Sequence, residues 1–187
     1  FFYESKYLQV VDENAQTKIT NNLKAEINRA SIPSKAILNL VYAKCLSDYY
    51  DGNDYIVRSR TNTVSLDDDF LTWTNEDFIK KIDASFQNTL KDETILKSTS
   101  LSQYEELFDF FTLEKFNKQN LFDYLLGENI DYYNQKIEQW GINKSKFIVF
   151  EKELLGKSAD FIQLNFDFTK DENLKKVLSL YQKLEIN

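Results

Sequence analysis

Between Ser34 and Tyr50 the chain is apolar nearly all the way round a helix. Ala36, Ile37, Leu38, Leu40, Val41, Tyr42, Ala43, Cys45, Leu46, Tyr49 and Tyr50 fall within that span. A helix on a protein surface carries one apolar stripe, so a segment like this must be covered on most sides. It predicts a central helix with other helices laid against it. The surrounding stretch, Ser31 to Thr61, also contains the single proline, Pro33, and the single cysteine, Cys45. Pro33 is placed at the first helical position, or Ser34 as the cap behind it, and Gly52 is the natural C-terminal stop.

The rest of the chain is consistent with that centre. Sandwiches and barrels need many glycine and proline turns, and this sequence has 4 Gly and 1 Pro in 187 residues. A chain of this length buries roughly 70% of its unfolded surface and needs no staple. With 42% hydrophobic residues, including 15 Phe and 11 Tyr, it is too apolar for a disordered segment. The expected fold class is mainly α: an antiparallel array of helix hairpins in a single domain over 1–187. Residues 1–140 form the helical array, and 141–187 a β-hairpin followed by a last helix.

Periodicity places the individual elements. Phe2, Leu8 and Val11 mark the inward side of a first helical end. Ile19, Leu23 and Ile27 recur every four residues in a helix over Ala15–Ala30. Residues 53–70 form a connector. Thr74 and Asp77 make a capping box before Phe78, Ile82, Phe86 and Leu90, and a short turn of helix follows at Glu93–Lys97. Ser102 with Glu105 caps a helix carrying Tyr104, Leu107, Phe108 and Phe111. Phe122, Leu125, Leu126, Ile130 and Tyr133 define a helix over Asn120–Tyr133, in which Gly127 costs about 1 kcal/mol relative to alanine. Beyond Gly141 the period changes. Phe147–Phe150 is β-prone, and Ile162, Leu164, Phe166 and Phe168 alternate with polar residues, so a small β-hairpin is expected near 146–168. Thr169 and Glu172 then cap a helix with Leu174, Val177, Leu178, Tyr181 and Leu184 on one face. No sustained repeat period runs through the chain.

Charge and residue types exclude several function classes. The net charge is −7, with no lysine- and arginine-rich face, which argues against nucleic acid or an anionic membrane surface as a partner of this segment. No histidine is present, which removes the usual zinc and iron sites and every histidine-based acid–base mechanism. A nucleophilic Cys45 would therefore lack its usual base, and packing is the better reading. Asp67-Asp68-Asp69 and Asp51-Gly52-Asn53-Asp54 lack the ligand spacing of a calcium loop and read as solvated turns. Glu105-Glu106 and Glu151/Glu153 are sequence neighbours, which does not place them across a cleft. There is no phosphate-binding glycine loop, and Asn143-Lys144-Ser145 is a bare glycosylation sequon. No catalytic, cofactor-binding or metal-ligating residue is assigned, and the segment is read as non-enzymatic.

Two groups remain to be weighed. Tyr49, Tyr50, Tyr55, Trp73, Tyr132, Tyr133 and Trp140 suit either a sugar-stacking groove or inter-helix packing, and packing is favoured. Arg58 and Arg60 suit an anion, or pairing with the nearby acidic run or with helix C-termini.

The order of segments carries a resemblance. Tyr3-Glu4-Ser5-Lys6 leads to Ser31-Ile32-Pro33-Ser34-Lys35 and the central helix. Then come Asp48-Tyr49-Tyr50, Asn53 and Arg60-Thr61, followed by Phe70-Leu71-Thr72-Trp73 and Ser85-Phe86-Gln87-Asn88-Thr89-Leu90. Asn120-Leu121-Phe122-Asp123-Tyr124-Leu125-Leu126 and Leu178-Ser179-Leu180-Tyr181-Gln182-Lys183-Leu184 complete the series. In this order the chain resembles the N-terminal helical region of large bacterial alpha-2-macroglobulin-like envelope proteins. It departs from them where Asp54 and Ser59 replace an arginine and an asparagine, and where Gln119-Asn120-Leu121 replaces Pro-Thr-Leu, which makes it a divergent member.

The resemblance implies a segment excised from a long exported protein of the periplasm or cell envelope. The absence of methionine, and the helix-like Phe1-Phe2-Tyr3, fit that expectation. It implies a scaffolding or interaction role beside downstream macroglobulin domains of the same chain, with proteases engaged by the full-length protein as a trap. Cys45 is followed by Leu46-Ser47-Asp48 and does not match the family's thioester motif, so no capture residue carries over. The competing reading is a helical carbohydrate-binding lipoprotein domain of the outer surface. It requires several of Tyr49, Tyr50, Tyr55, Trp73 and Trp140 to be exposed together.

Overall fold

The computed structural model describes Asp12 and residues 15–60, 69–104, 106–107, 120–139, 156–167 and 169–186. Those residues are mainly helical, with eight α-helices and two 3-10 turns. The chain divides into two compact units, Phe1–Thr99 and Ser100–Asn187. The division falls well before Gly141, where the change of sequence period placed the passage from helices to a hairpin.

In the first unit, α1 (Ala15–Arg29) and α2 (Ser34–Gly52) pack together across a short connection. The contact face of α1 is built on Ala15, Ile19 and Leu23, with Ile27 only half-buried. Buried Thr20 sits on α1 without losing a hydrogen bond, because its hydroxyl donates to the Gln16 carbonyl at 2.8 Å. On α2, Ala36, Ile37, Leu38, Leu40, Tyr42, Ala43, Leu46 and Tyr50 are buried over a wide arc. Lys35, Lys44, Asp48 and Asp51 keep the opposite face in water. Each fully buried Leu or Ile on that arc contributes about 1.5–3 kcal/mol.

The ends of α2 differ from the expectation. Pro33 is not the first helical residue and Ser34 is not the cap: Pro33 occupies the cap position, Ser34 begins the helix, and the Pro33 carbonyl accepts from Ala36 N at 3.0 Å. Gly52 does not stop the helix. It is the last helical residue, and the stop is Asn53, whose backbone N–H donates to Tyr50 O at 3.2 Å and whose side-chain amide donates to Tyr49 O at 2.8 Å. By taking two terminal carbonyls, Asn53 does what a left-handed glycine would otherwise do. Its own carbonyl then accepts from Val57 N at 2.9 Å and starts α3 (Asp54–Ser59), so the connector opens as a helix.

A 3-10 turn at Phe70–Thr72 leads into α4 (Asn75–Thr89), which packs on α2 more extensively than any other helix does. The predicted capping box is present. Thr74 Oγ1 accepts from Asp77 N at 3.3 Å, and Asp77 Oδ2 accepts from Thr74 N at 3.0 Å. Phe78, Ile82, Phe86 and Leu90 are all buried, as their four-residue spacing requires. The backbone and hydroxyl bonds from Thr74 hold the Asp77 carboxyl below its ordinary value of 3.8. A depressed folded-state value stabilises the fold above that ordinary value and loses the contribution as pH falls through the lower one. Asp77→Asn is therefore expected to weaken the protein at neutral pH and to flatten the part of its stability profile below about pH 4. Urea midpoints measured across acid pH check this. Helix α5 (Glu93–Ser98) closes the unit, with Leu96 buried.

In the second unit, a 3-10 turn at Leu101–Tyr104 replaces the start of the helix expected after Ser102, and Phe108 and Phe111 lie outside the described residues. Ser100 and Asn120 form an isolated antiparallel bridge. Asn120 then caps α6 (Leu121–Gln139) by accepting from Asp123 N at 2.9 Å. Leu121, Phe122, Leu125, Leu126, Ile130 and Tyr133 are buried on one side of α6, against α8 (Glu172–Ile186). A Cβ at Gly127 would meet nothing within 4 Å, so no close approach demands glycine there.

The β-hairpin is not shown. Its first arm, Phe147–Phe150, lies outside the described residues. Its second arm is not a strand: Ser158–Ile162 forms α7, and residues 163–167 are turns and irregular backbone. The alternation of Ile162, Leu164 and Phe166 was real as a sequence pattern, but the carbonyls go elsewhere. Gln182 Nε2, on α8, donates to Phe161 O at 2.8 Å and Leu164 O at 2.9 Å. Thr169 is not the cap of α8 either. Asp171 is, accepting from Leu174 N at 2.9 Å, while Thr169 Oγ1 accepts from Asp171 N. The buried face of α8 is Leu174, Val177, Leu178 and Leu180, whereas Tyr181 and Leu184 are exposed.

Candidate functional site

The residues most able to form a binding platform are aromatic, and among the described residues the largest group of them gathers between α2 and α4. Tyr49 lies 4.9 Å from Phe70 edge-on and 5.7 Å from Phe78 nearly parallel. Tyr50 and Trp73 approach Phe78 at 5.8 and 5.4 Å. Phe78 therefore sits at the middle of the cluster, with no exposed surface. Edge-to-face geometry at these separations adds about 0.5–1.5 kcal/mol per pair beyond area burial.

Polar groups fasten this cluster from its margin. Tyr50 Oη donates to Asn75 Oδ1 at 2.5 Å, joining the end of α2 to the start of α4. Arg60 Nη1 donates to the Trp73 carbonyl at 2.8 Å, and Lys81 Nζ stands 5.5 Å from the centre of the Trp73 ring. Trp73 is the C-cap of the 3-10 turn Phe70–Thr72, so the Arg60 guanidinium meets a carbonyl at the end of that turn. Arg58 pairs with Asp54 one turn earlier, at 3.6 Å. Asp69 caps the 3-10 turn through Leu71 N, while Asp67 and Asp68 lie outside the described residues.

This geometry decides how the aromatics are used. Trp73 and Tyr50 are 3% and 6% exposed, so neither ring offers a face to a sugar. Tyr55 is 84% exposed, away from the stacked cluster, and Trp140 lies outside the described residues. In the second unit Tyr132 and Tyr133 meet edge-on at 5.1 Å, and each has a lysine over it, Lys136 at 5.4 Å and Lys176 at 5.0 Å. The Lys176 contact ties α8 to α6. The second unit also holds a buried phenol, Tyr124. Burial first, then the charge of Glu128 and a hydrogen bond to it, push the phenol well above its ordinary value.

Comparison with protein-family models, with curated proteins and with solved structures found no match. The chemistry therefore rests on the residues alone. Among the described residues, no group of three or more Cys, Asp or Glu side chains gathers as a metal site would require, and no helix is long and apolar enough to cross a membrane. Asp51 and Asp54, considered above as a turn, have separate partners in Ser47 and Arg58. Glu105, Glu151, Glu153 and Asn143 lie outside the described residues.

Cys45 is half-buried on α2. Burial, and then the negative charge of Asp48 one turn along, push its thiol up to about 11. The thiolate is the reactive form, and at pH 8 roughly one molecule in a thousand would carry it. Alkylation of native protein at pH 8 is expected to be slow, and to speed up on the order of a hundredfold once urea exposes the thiol and its pKa returns toward that of free cysteine. Mass-spectrometric time courses with iodoacetamide, with and without urea, check this; equal rates would contradict it.

Sequence reasoning missed the margin of the cluster. The Tyr50–Asn75 bond spans 25 residues and the Arg60–Trp73 bond 13, and no local pattern signals either. The one available cue was the turn chemistry of Asp69 and Thr74, which fixes where α4 begins and hence what its first turn can reach.

Proposed function

We propose that this chain is a non-catalytic helical scaffold, an array of helix hairpins serving as an interaction domain of an alpha-2-macroglobulin-like, protease-trapping protein of the periplasm or cell envelope. Its partners on this reading are macroglobulin domains of the same chain, with proteases engaged only by the full-length protein.

The observation that supports a scaffold is what the residues of the resemblance do. Asn53 and Asn120 cap helices, Tyr49, Tyr50, Phe70 and Trp73 fill the aromatic cluster, and Arg60 fastens the Trp73 backbone. Gln182 holds the connector before α8. Every one of these roles is packing, capping or the fastening of backbone. The departures from the family fit the same use: Asp54 pairs with Arg58, and Ser59 Oγ donates to Ile56 O at 2.7 Å.

The test is the reading frame that encodes the chain. The proposal expects an export signal upstream and β-sandwich macroglobulin domains encoded after Asn187. A stop codon shortly after Asn187 would overturn it.

A further inference from the structure

We draw no further inference here: the strongest candidate, the exposed apolar patch of Tyr55 and Ile56 at the start of α3, 84% and 54% exposed, carries nothing because nothing in the structure shows what covers it.

Discussion

Phe78→Ala is expected to destabilise the first unit by about 3–5 kcal/mol, the usual cost of emptying a buried phenylalanine site. The ring is fully buried and meets Tyr49, Tyr50, Phe70 and Trp73. Removing it opens a cavity between α2 and α4, the largest helix contact of the unit. The neighbours cannot close that cavity freely, because Tyr50 is held by Asn75 and the Trp73 backbone by Arg60. Against a total stability of about 5–15 kcal/mol, the loss is a large fraction. Urea unfolding followed by circular dichroism should show a much lower midpoint. Phe78→Leu, which keeps most of the volume, should cost less than about 1.5 kcal/mol. A loss below about 1 kcal/mol for the alanine variant would mean that the ring is not central to the core.

Gln182→Leu is expected to cost about 2 kcal/mol through a different mechanism. Leucine keeps the size of the side chain and removes its donor. The carbonyls of Phe161 and Leu164 then lose the amide that joins them to α8. Phe161 O still accepts from Leu164 N at 3.1 Å, so the Leu164 carbonyl bears most of the penalty. Hydrogen exchange across residues 157–167 should accelerate while α8 itself stays protected. Gln182→Glu should be at least as damaging, because an ionised carboxylate cannot donate and would face two carbonyl oxygens. Unchanged exchange in both variants would contradict the assigned role.

These two sites also mark where the sequence was and was not legible. Phe78 could be read directly: it begins a four-residue series behind a capping box, and both local signals agree with the fold. The α6 face is legible for the same reason, since Phe122, Leu125, Leu126, Ile130 and Tyr133 keep helical spacing and all are buried. Gln182 could not be read, because its partners lie 18 and 21 residues away. Without it, the alternation of Ile162, Leu164 and Phe166 points to a strand. The cap of α8 was ambiguous for a local reason. Thr169 and Asp171 each offer a side-chain acceptor at an acceptable distance from the helix, and only the observed bond to Leu174 N separates them. Gly52 misled because glycine is the common helix stop, whereas here the side-chain amide of Asn53 satisfies the last turn.

The candidate site follows the same division. Packing for Tyr50 and Trp73 was legible from the large area that aromatic side chains bury. Tyr55 departs from it, since its short helix leaves the ring in water. For Cys45, the missing histidine argued against a nucleophile, and the raised thiol pKa adds a second reason from burial and from Asp48. Arg60 was expected to meet carboxylates or a helix end. It serves the Trp73 carbonyl at the end of the 3-10 turn Phe70–Thr72, a partner set by where the chain returns after the connector.

The aromatic cluster around Phe78 builds the interior of the first unit rather than a ligand platform. The most direct test of this is tryptophan fluorescence in a Trp140→Phe background, which leaves Trp73 as the single emitter. Blue-shifted emission, weak quenching by acrylamide, and no change when oligosaccharides are added are the expected results. Water-like emission with strong quenching that oligosaccharide relieves would contradict this packing and would place Trp73 in an open groove.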